Sequence, residues 1–573
     1  MKKSIFLILN TLFVFFASAQ HVTFSGNNTP TWREVIDAYT ELDRKYSYAQ
    51  INSYGITDVG KPLHLFVINK EMNFFPERLG SSKPILLINN AIHAGEPDGV
   101  DASLMFCKEV LDPKNVLHSL LDSVIICVIP IYNVDGALLR NSYSRSNQNG
   151  PSEYGFRANS KNLDLNRDFI KCDSKNALTF SSLFSSISPH ILIDTHVSNG
   201  ADYPYVMTLI STQSDKIAKP LNAAVQRMEE YMFQAMKKAG HEMAPYVNHM
   251  GKTPETGIAD FLETPRFATG YAALHHTIGF TTETHMLKPY DSRVESTYQF
   301  LVEAMKYMNN NASIILKEKE ASINRWMNIN EYVFNYELEQ DSVSKLKFKG
   351  YEAVVEPSLV GTGERLRYDR SKPYEKEIPF FRKYRPKDTV SVPDFYIVPQ
   401  AWQEVIERLK ANNVEMFRMK SDTLMNVTGY YLFNLKTSST AYEGHFLHSK
   451  VQTKLERMRI HFFEGDYLIP VRQPAIRYII ETLEPKSKDS FFSWNFFDSV
   501  LQQKEWFSDY VFEEKAAELL QQNPALKARF DLAMTTDPEM QEHWMQLYWV
   551  YKNSEYYEKS AFRYPVYRIE DSK

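Results

Sequence analysis

Cysteine is nearly absent from this 573-residue chain: Cys107, Cys127 and Cys172 are the whole set. Three thiols leave at least one unpaired and exclude a disulfide framework, which a chain of this size does not need. Cys107 and Cys127 lie in apolar segments and read as small core residues rather than nucleophiles. A basic excess is also missing. Lys and Arg number 65 against 70 Asp and Glu, a net charge of -5. Nothing is set aside to neutralise phosphates, which argues against nucleic acid or an anionic membrane as partner. Beyond the N-terminal segment no apolar run reaches the roughly 18 residues of a membrane span. Internal repeats and low-complexity tracts are lacking too.

What is present is length and apolar content. At 573 residues with 43% hydrophobic side chains, the chain can fill the cores of two or three domains. It begins Met1-Lys2-Lys3, continues nearly apolar over 5–16, and reaches Ala17-Ser18-Ala19. A basic start, a short apolar core and an A-x-A site predict a secretory leader over 1–19, cut near Ala19-Gln20. The mature protein is therefore expected outside the cytoplasm, periplasmic or extracellular, with no integral membrane segment. No Cys follows the cut, so no lipid attachment point is expected.

Strand-length apolar runs occur at 63–68, 85–90, 124–131, 191–194, 205–210 and 279–282. Those at 85–88 and 124–131 are apolar almost without alternation, as in strands buried on both faces. Helical patterns at 99–111, 221–238 and 294–316 fall between or after them. This alternation predicts an α/β sheet with its functional site at the carboxyl ends of strands. The pattern changes near residue 320, giving a catalytic region over 20–320 and a C-terminal α+β region over 321–573. Within the latter, 330–393 is polar with strand-like pieces and 395–417 reads as a β-α-β unit. A hairpin is expected at Glu464-Gly465-Asp466, and 474–558 is mostly helical.

The chemistry gathers at strand ends. His93-Ala94-Gly95-Glu96 follows the run Ile85-Leu86-Leu87-Ile88, and Ile191-Leu192-Ile193-Asp194-Thr195 ends in His196. Two imidazoles and one carboxylate make an open zinc site, with the fourth position left for water. Each piece alone has a dull explanation, as a turn, a cap or a solvated charge. Asn133-Val134-Asp135-Gly136, Arg157, Asp164-Leu165-Asn166-Arg167 and Glu283 then follow in order along the chain. The dull readings fail to explain that combination.

In these motifs the chain resembles the zinc metallocarboxypeptidases, the carboxypeptidase A family, over about residues 30–315, and more weakly its large exported bacterial members beyond. The resemblance implies a mixed, mostly parallel central sheet covered by helices on both faces, with the C-terminal α+β region as an extension. It implies one zinc ion per chain on His93, Glu96 and His196, and a water acidified to a pKa of about 7. Glu283 would be the general base and Arg157 the oxyanion donor, whose loss costs roughly 3–4 kcal/mol of barrier. Asn166 and Arg167 would grip the terminal carboxylate of a peptide or protein. Asp164 would fix the tautomer of His93.

The chain departs from the family in three places. Val134 replaces a proline in the Asn-x-Asp-Gly segment. Ala94-Gly95 stands where the pancreatic enzymes carry a substrate-binding arginine, so that contact is expected to be lost. The mobile tyrosine has no secure match, Tyr271 being the nearest candidate, and the specificity pocket should lie near 266–273. His190, His275 and His276 read as structural. Two other readings keep the same motifs: a deacylase of N-acyl amino acids or cell-wall amidase, and a binding module without catalysis. The leader, the 133–136 segment and the long C-terminal half count against the deacylase, and an intact Glu283 against the binding module.

Overall fold

The structure, a computed structural model, describes residues 26–570 except 81 and 218. The leader and its cleavage site lie outside the described residues. The catalytic region is built on strands β1 (Ala49–Tyr54), β2 (Leu63–Ile68), β3 (Ile85–Asn89), β4 (Ile125–Ile129), β5 (Ile191–Ser198), β6 (Met207–Ser211) and β7 (Met243–Pro245). A short β8 (Ile258–Ala259) belongs to another sheet, and β9 (Ile278–His285) completes this one. The spatial order is β1-β2-β4-β3-β5-β9-β6-β7. Its centre, β4-β3-β5-β9, is parallel throughout.

Both faces of that centre are buried, which is why its strands read as continuous apolar runs. In β3, Leu86 and Ile88 point into one core while Ile85 and Leu87 point into the other; β4 divides in the same way. The first core is closed by α1 (Trp32–Lys45), α2 (Asp98–Leu111), α5 (Leu221–Lys238) and α7 (Tyr290–Asn310). The short α3 (Val134–Leu138) starts at Asn133, whose side chain caps Gly136 N–H. The second core is closed by α4 (Lys175–Ile187) and α6 (Ala268–Leu274). The fold is the mixed α/β sheet between helices that the motifs implied. The helix expected over 294–316 is two, α7 and α8 (Ala312–Met327), because Asn311 leaves helical geometry with φ -122° and ψ 15°.

The C-terminal half shares the second core. Tyr396, Ile476, Tyr478 and Trp494 pack in the same buried cluster as Leu87, Phe184 and Leu192. Its polar opening is made of long antiparallel pairs with solvated faces, β10 (Glu331–Leu338) with β13 (Tyr384–Ser391) and β11 (Val343–Pro357) with β12 (Glu364–Phe381). The end of β12 extends β8 in parallel through Phe380 and Phe381.

A second sheet comprises β14 (Phe395–Val398), β15 (Phe417–Arg418), β16 (Thr423–Phe433), β19 (Gln452–Phe462), β20 (Tyr467–Pro470) and β21 (Tyr567–Ile569), with a small ribbon of β17 (Lys436–Thr437) and β18 (His448–Ser449). The β-α-β unit exists in split form: β14, α9 (Gln403–Ala411) and β15 run in sequence, with β20 antiparallel between the two strands. The hairpin expected at Glu464-Gly465-Asp466 does not form. β19 pairs with β16, whereas β20 pairs with β14 and β15. The turn itself is real, with Gly465 at φ +96° and the Asp466 carboxylate accepting the N–H groups of Phe463 and Gln400. It redirects the chain between strands that are not neighbours. The closing helices are α10 (Ile476–Leu483), α11 (Asp509–Gln522), α12 (Pro524–Thr536) and α13 (His543–Lys552), with an irregular stretch between α10 and α11.

Candidate metal centre and active-site cleft

The loop after β3 is held rigidly before it reaches His93. Asn90 donates to the Ile129 carbonyl on β4 and accepts from Ser103 on α2 and Thr195 on β5. At Gly99, in the first turn of α2, a Cβ would lie 1.9 Å from Thr195 Oγ1 and 2.6 Å from Asn90 Oδ1. Only glycine lets the helix approach the sheet here. The loop thereby presents His93 and Glu96 toward the end of β5. His196 and Glu283 are register partners on the parallel pair β5–β9, so their side chains share one face of the sheet.

His93 Nδ1 lies 3.1 Å from Glu96 Oε1, and His196 Nδ1 lies 3.2 Å from Glu96 Oε2. The potential ligand atoms of these three buried residues lie within 4.8 Å of one another. The far nitrogens are also engaged: His93 Nε2 meets Asp164 Oδ1 at 2.9 Å and His196 Nε2 meets Asp194 Oδ2 at 2.7 Å. An aspartate that accepts from Nε2–H leaves Nδ1 as the free lone pair, the arrangement seen behind metal-bound histidines.

The surroundings call for positive charge. Burial alone would raise the Glu96 carboxyl, yet His93 and Arg145 hold it well below the usual range. Burial likewise opposes a charged His196, but Asp194 holds its imidazole well above its ordinary value. Burial pushes the Glu283 carboxyl up to about 8, with Glu96 and Glu263 adding to the rise against the pull of His196. Two tautomer-fixed imidazoles and a carboxylate, ringed by further acids, fit a zinc ion.

Arg157, Asn166, Arg167 and Glu283 line the same cleft of about 400 Å³. Arg157 directs Nε and Nη2 to Asp164 Oδ2, at 3.1 and 2.8 Å, and its Nη1 lies 3.7 Å from Glu96 Oε1. Arg167 donates from Nη1 to the Asn166 carbonyl at 2.8 Å, and its guanidinium lies 4.4 Å from the Phe267 ring centre.

Tyr271 is not part of the cleft. It is fully buried, with its hydroxyl on Asn412 and its ring among Phe169, Phe184 and His275. Arg266 does not line the cleft; it pairs with Asp489 and lies over Trp494. Of the segment 266–273, Phe267 lines the cleft, and the rest of that wall comes from Ile210, Tyr246, Phe261 and Glu263. His190 accepts from the N–H of Ile85, and His276 sits between Ser322 and the Pro474 carbonyl, both structural roles.

Arg145 escaped the sequence reading. Its Nη1 meets Glu96 Oε1 at 2.8 Å, Nη2 donates to the Val197 carbonyl, and Nε donates to Gln148. Gly95 makes room for it, since a Cβ there would lie 2.7 Å from Arg145 Cδ. An arginine does reach the centre of the His-x-x-Glu motif, from a distant loop, and its nitrogens are spent on protein partners. Arg145 stands alone in a polar segment without period, so only the small residue at Gly95 hinted at a visitor.

A mixed α/β sheet carrying a buried His-Glu-His cluster at its strand ends, beside a further glutamate, defines a metallohydrolase centre. The sequence profile of the zinc carboxypeptidase family matches residues 36–342, more than half of the chain. The chain belongs to that family and is a zinc metallocarboxypeptidase by descent. It is similar to carboxypeptidase 2 of Trichophyton rubrum, 21% identical over 491 residues that span 82% of this chain and 84% of the relative. Carboxypeptidase 2 of Trichophyton equinum is 20% identical over 436 residues, 73% of this chain and 75% of the relative. A span of 82% cannot be contained in the first 342 residues, so the likeness extends into the C-terminal half. Among solved structures, carboxypeptidase A from Helicoverpa armigera is 12% identical with a TM-score of 0.39, covering 54% of this chain and 77% of that one.

Proposed function

We propose that this protein is an exported, zinc-dependent carboxypeptidase that removes residues from the C-termini of peptides and proteins. The observation that carries the reading is the convergence of His93, Glu96, His196 and Glu283 with Arg157, Asn166 and Arg167 in one cleft. Zinc, one ion per chain held by His93, Glu96 and His196, would supply Lewis acidity and a water of lowered pKa.

Glu283, crowded by other carboxylates, takes a proton from the attacking water and returns one to the leaving amine. Arg157 stays fixed by Asp164 and offers Nη1 to the oxyanion as it develops. Arg167, with Asn166, receives the terminal carboxylate and so restricts cleavage to chain ends. Asp164 and Asp194 hold the two imidazoles in the ligating tautomer. The family match and the carboxypeptidase relatives favour this reading over an N-acyl amino acid deacylase.

Mass spectrometry of a peptide mixture incubated with zinc-loaded protein tests it. Stepwise loss from free C-termini, blocked by C-terminal amidation, is expected. Internal fragments, or cleavage of N-acyl aspartate alone, would overturn it. Glu283→Gln should retain zinc and lose turnover about 10²–10⁴-fold. Export rests on the leader, and N-terminal sequencing of protein recovered outside the cytoplasm should begin at Gln20.

A further inference from the structure

Glu263 lies between β8 and α6 on the wall of the cleft and is only 5% exposed. Its two oxygens differ. Oε2 accepts the N–H of Thr269 at 2.9 Å and also the Thr269 hydroxyl, which fixes the carboxylate against the first turn of α6. Oε1 accepts no hydrogen bond among the described residues and is not sealed from the cleft. Lys216 Nζ donates to the Glu263 backbone carbonyl rather than to the carboxylate.

The apolar part of the same cleft lining comes from Ile210, Phe261, Phe267 and the ring of Tyr246. Phe267 also carries the Arg167 guanidinium on its face. A terminal residue whose carboxylate sits on Arg167 thus has an aromatic surface for its methylenes and a half-satisfied carboxylate at the wall. A neutral side chain would bury Oε1 without a partner, and an acidic one would add like charge, both unfavourable.

We infer that Glu263 is the specificity-determining residue of this cleft and selects peptides ending in a cationic side chain, lysine or arginine. The inference rests on the proposed role of Arg167 as the anchor of the terminal carboxylate. Glu263→Gln separates specificity from folding, since the amide oxygen can still accept from Thr269 while an NH₂ group replaces Oε1.

The experiment measures kcat/KM on peptides identical except for a terminal Lys, norleucine or Glu. Wild type should prefer Lys over norleucine by about tenfold or more, with Glu poorest. In Glu263→Gln the ratio of Lys to norleucine release should collapse to about unity, and this ratio, not the absolute rate, is the readout, because Glu263 also acts on Glu283. Equal rates for Lys and norleucine in wild type, or an unchanged Lys preference in the variant, would overturn the role of Glu263 alone. Failure to trim any of the three peptides would overturn the carboxypeptidase reading with it. If the variant does not fold, the wild-type Lys-to-norleucine ratio decides.

Discussion

Tyr442, from the C-terminal half, accepts a hydrogen bond from Arg167 Nε at 3.0 Å. Arg167 is otherwise held by the Asn166 carbonyl and by the face of Phe267. The next residue, Glu443, accepts the Asp164 N–H at 2.7 Å, and Asp164 is the partner of His93. Residues 442–443 therefore touch both the proposed substrate grip and the support of a proposed metal ligand. The ring of Tyr442 stacks on Trp494, which belongs to the shared core. The C-terminal half thus helps to build the active-site cleft.

Tyr442→Phe should raise KM for peptides with a free C-terminus by about tenfold while leaving kcat nearly unchanged. It removes one charge-assisted bond that orients Arg167, not a group that reaches the scissile bond. Steady-state kinetics check the split. A fall in kcat at constant KM would show that Tyr442 acts elsewhere.

Asp194→Asn should weaken zinc affinity about 10–100-fold without unfolding the chain. Asp194 meets His196 Nε2 through Oδ2 and accepts from Asn89 through Oδ1, both buried. Competition against a chromophoric chelator measures the change. Affinity equal to wild type would remove Asp194 from the ligand's support.

Gly99→Ala should destabilise the fold by about 1–3 kcal/mol, since the added methyl meets Thr195 and Asn90 within a packed core. Gly361→Ala is the control, as a Cβ there meets nothing within 4 Å. Denaturant midpoints of the two variants should separate clearly.

One anchor between the halves should depend on pH. His445 Nε2 meets Asp173 Oδ2 at 2.7 Å and Nδ1 meets Asn495 Oδ1, so both nitrogens face acceptors and the imidazolium suits the site. Burial opposes that charge, but Asp173 raises the His445 pKa from its ordinary 6.5. Asp173 is itself lowered to about 2 despite burial, through His445 and Lys171. The His445 contribution is complete below its unfolded pKa and disappears as pH rises through the folded value. The Asp173 contribution is present above about 3.8 and disappears as pH falls through about 2. The anchor is therefore strongest from about pH 4 to 6.5. The melting-temperature gap between wild type and His445→Asn should be larger at pH 5.5 than at pH 8.5. A gap independent of pH would count against the linkage.

Much of the centre was legible because it lies at strand ends marked by unbroken apolar runs. The run at 85–88 read as a strand buried on both faces and 191–194 as a further strand, and His93, Glu96 and His196 come soon after them. Arg145, Tyr442 and Glu263 were not legible in the same way. Each sits in a segment without period and gains its meaning from a neighbour far along the chain: Glu96 for Arg145, Arg167 for Tyr442, and the cleft itself for Glu263. The failed hairpin at Gly465 has the same origin. A turn sequence sets the local bend, but strand pairing depends on which partners the whole sheet offers.

By itself the sequence pointed to the chemical type of the centre, because the proposed ligand and base residues are tied to local features: strand ends, a His-x-x-Glu spacing and an Asp-x-Asn-Arg run. The tertiary structure decided what surrounds that chemistry. Gly95 leaves space that Arg145 and the Gly155 backbone fill, and the second face of the sheet is closed by a C-terminal half that brings Tyr442 and Glu443 to the cleft. The physical reason is range. Periodicity and turn chemistry act over a few residues, whereas packing joins residues about 50 to 280 positions apart, from Glu96–Arg145 to Asp164–Glu443.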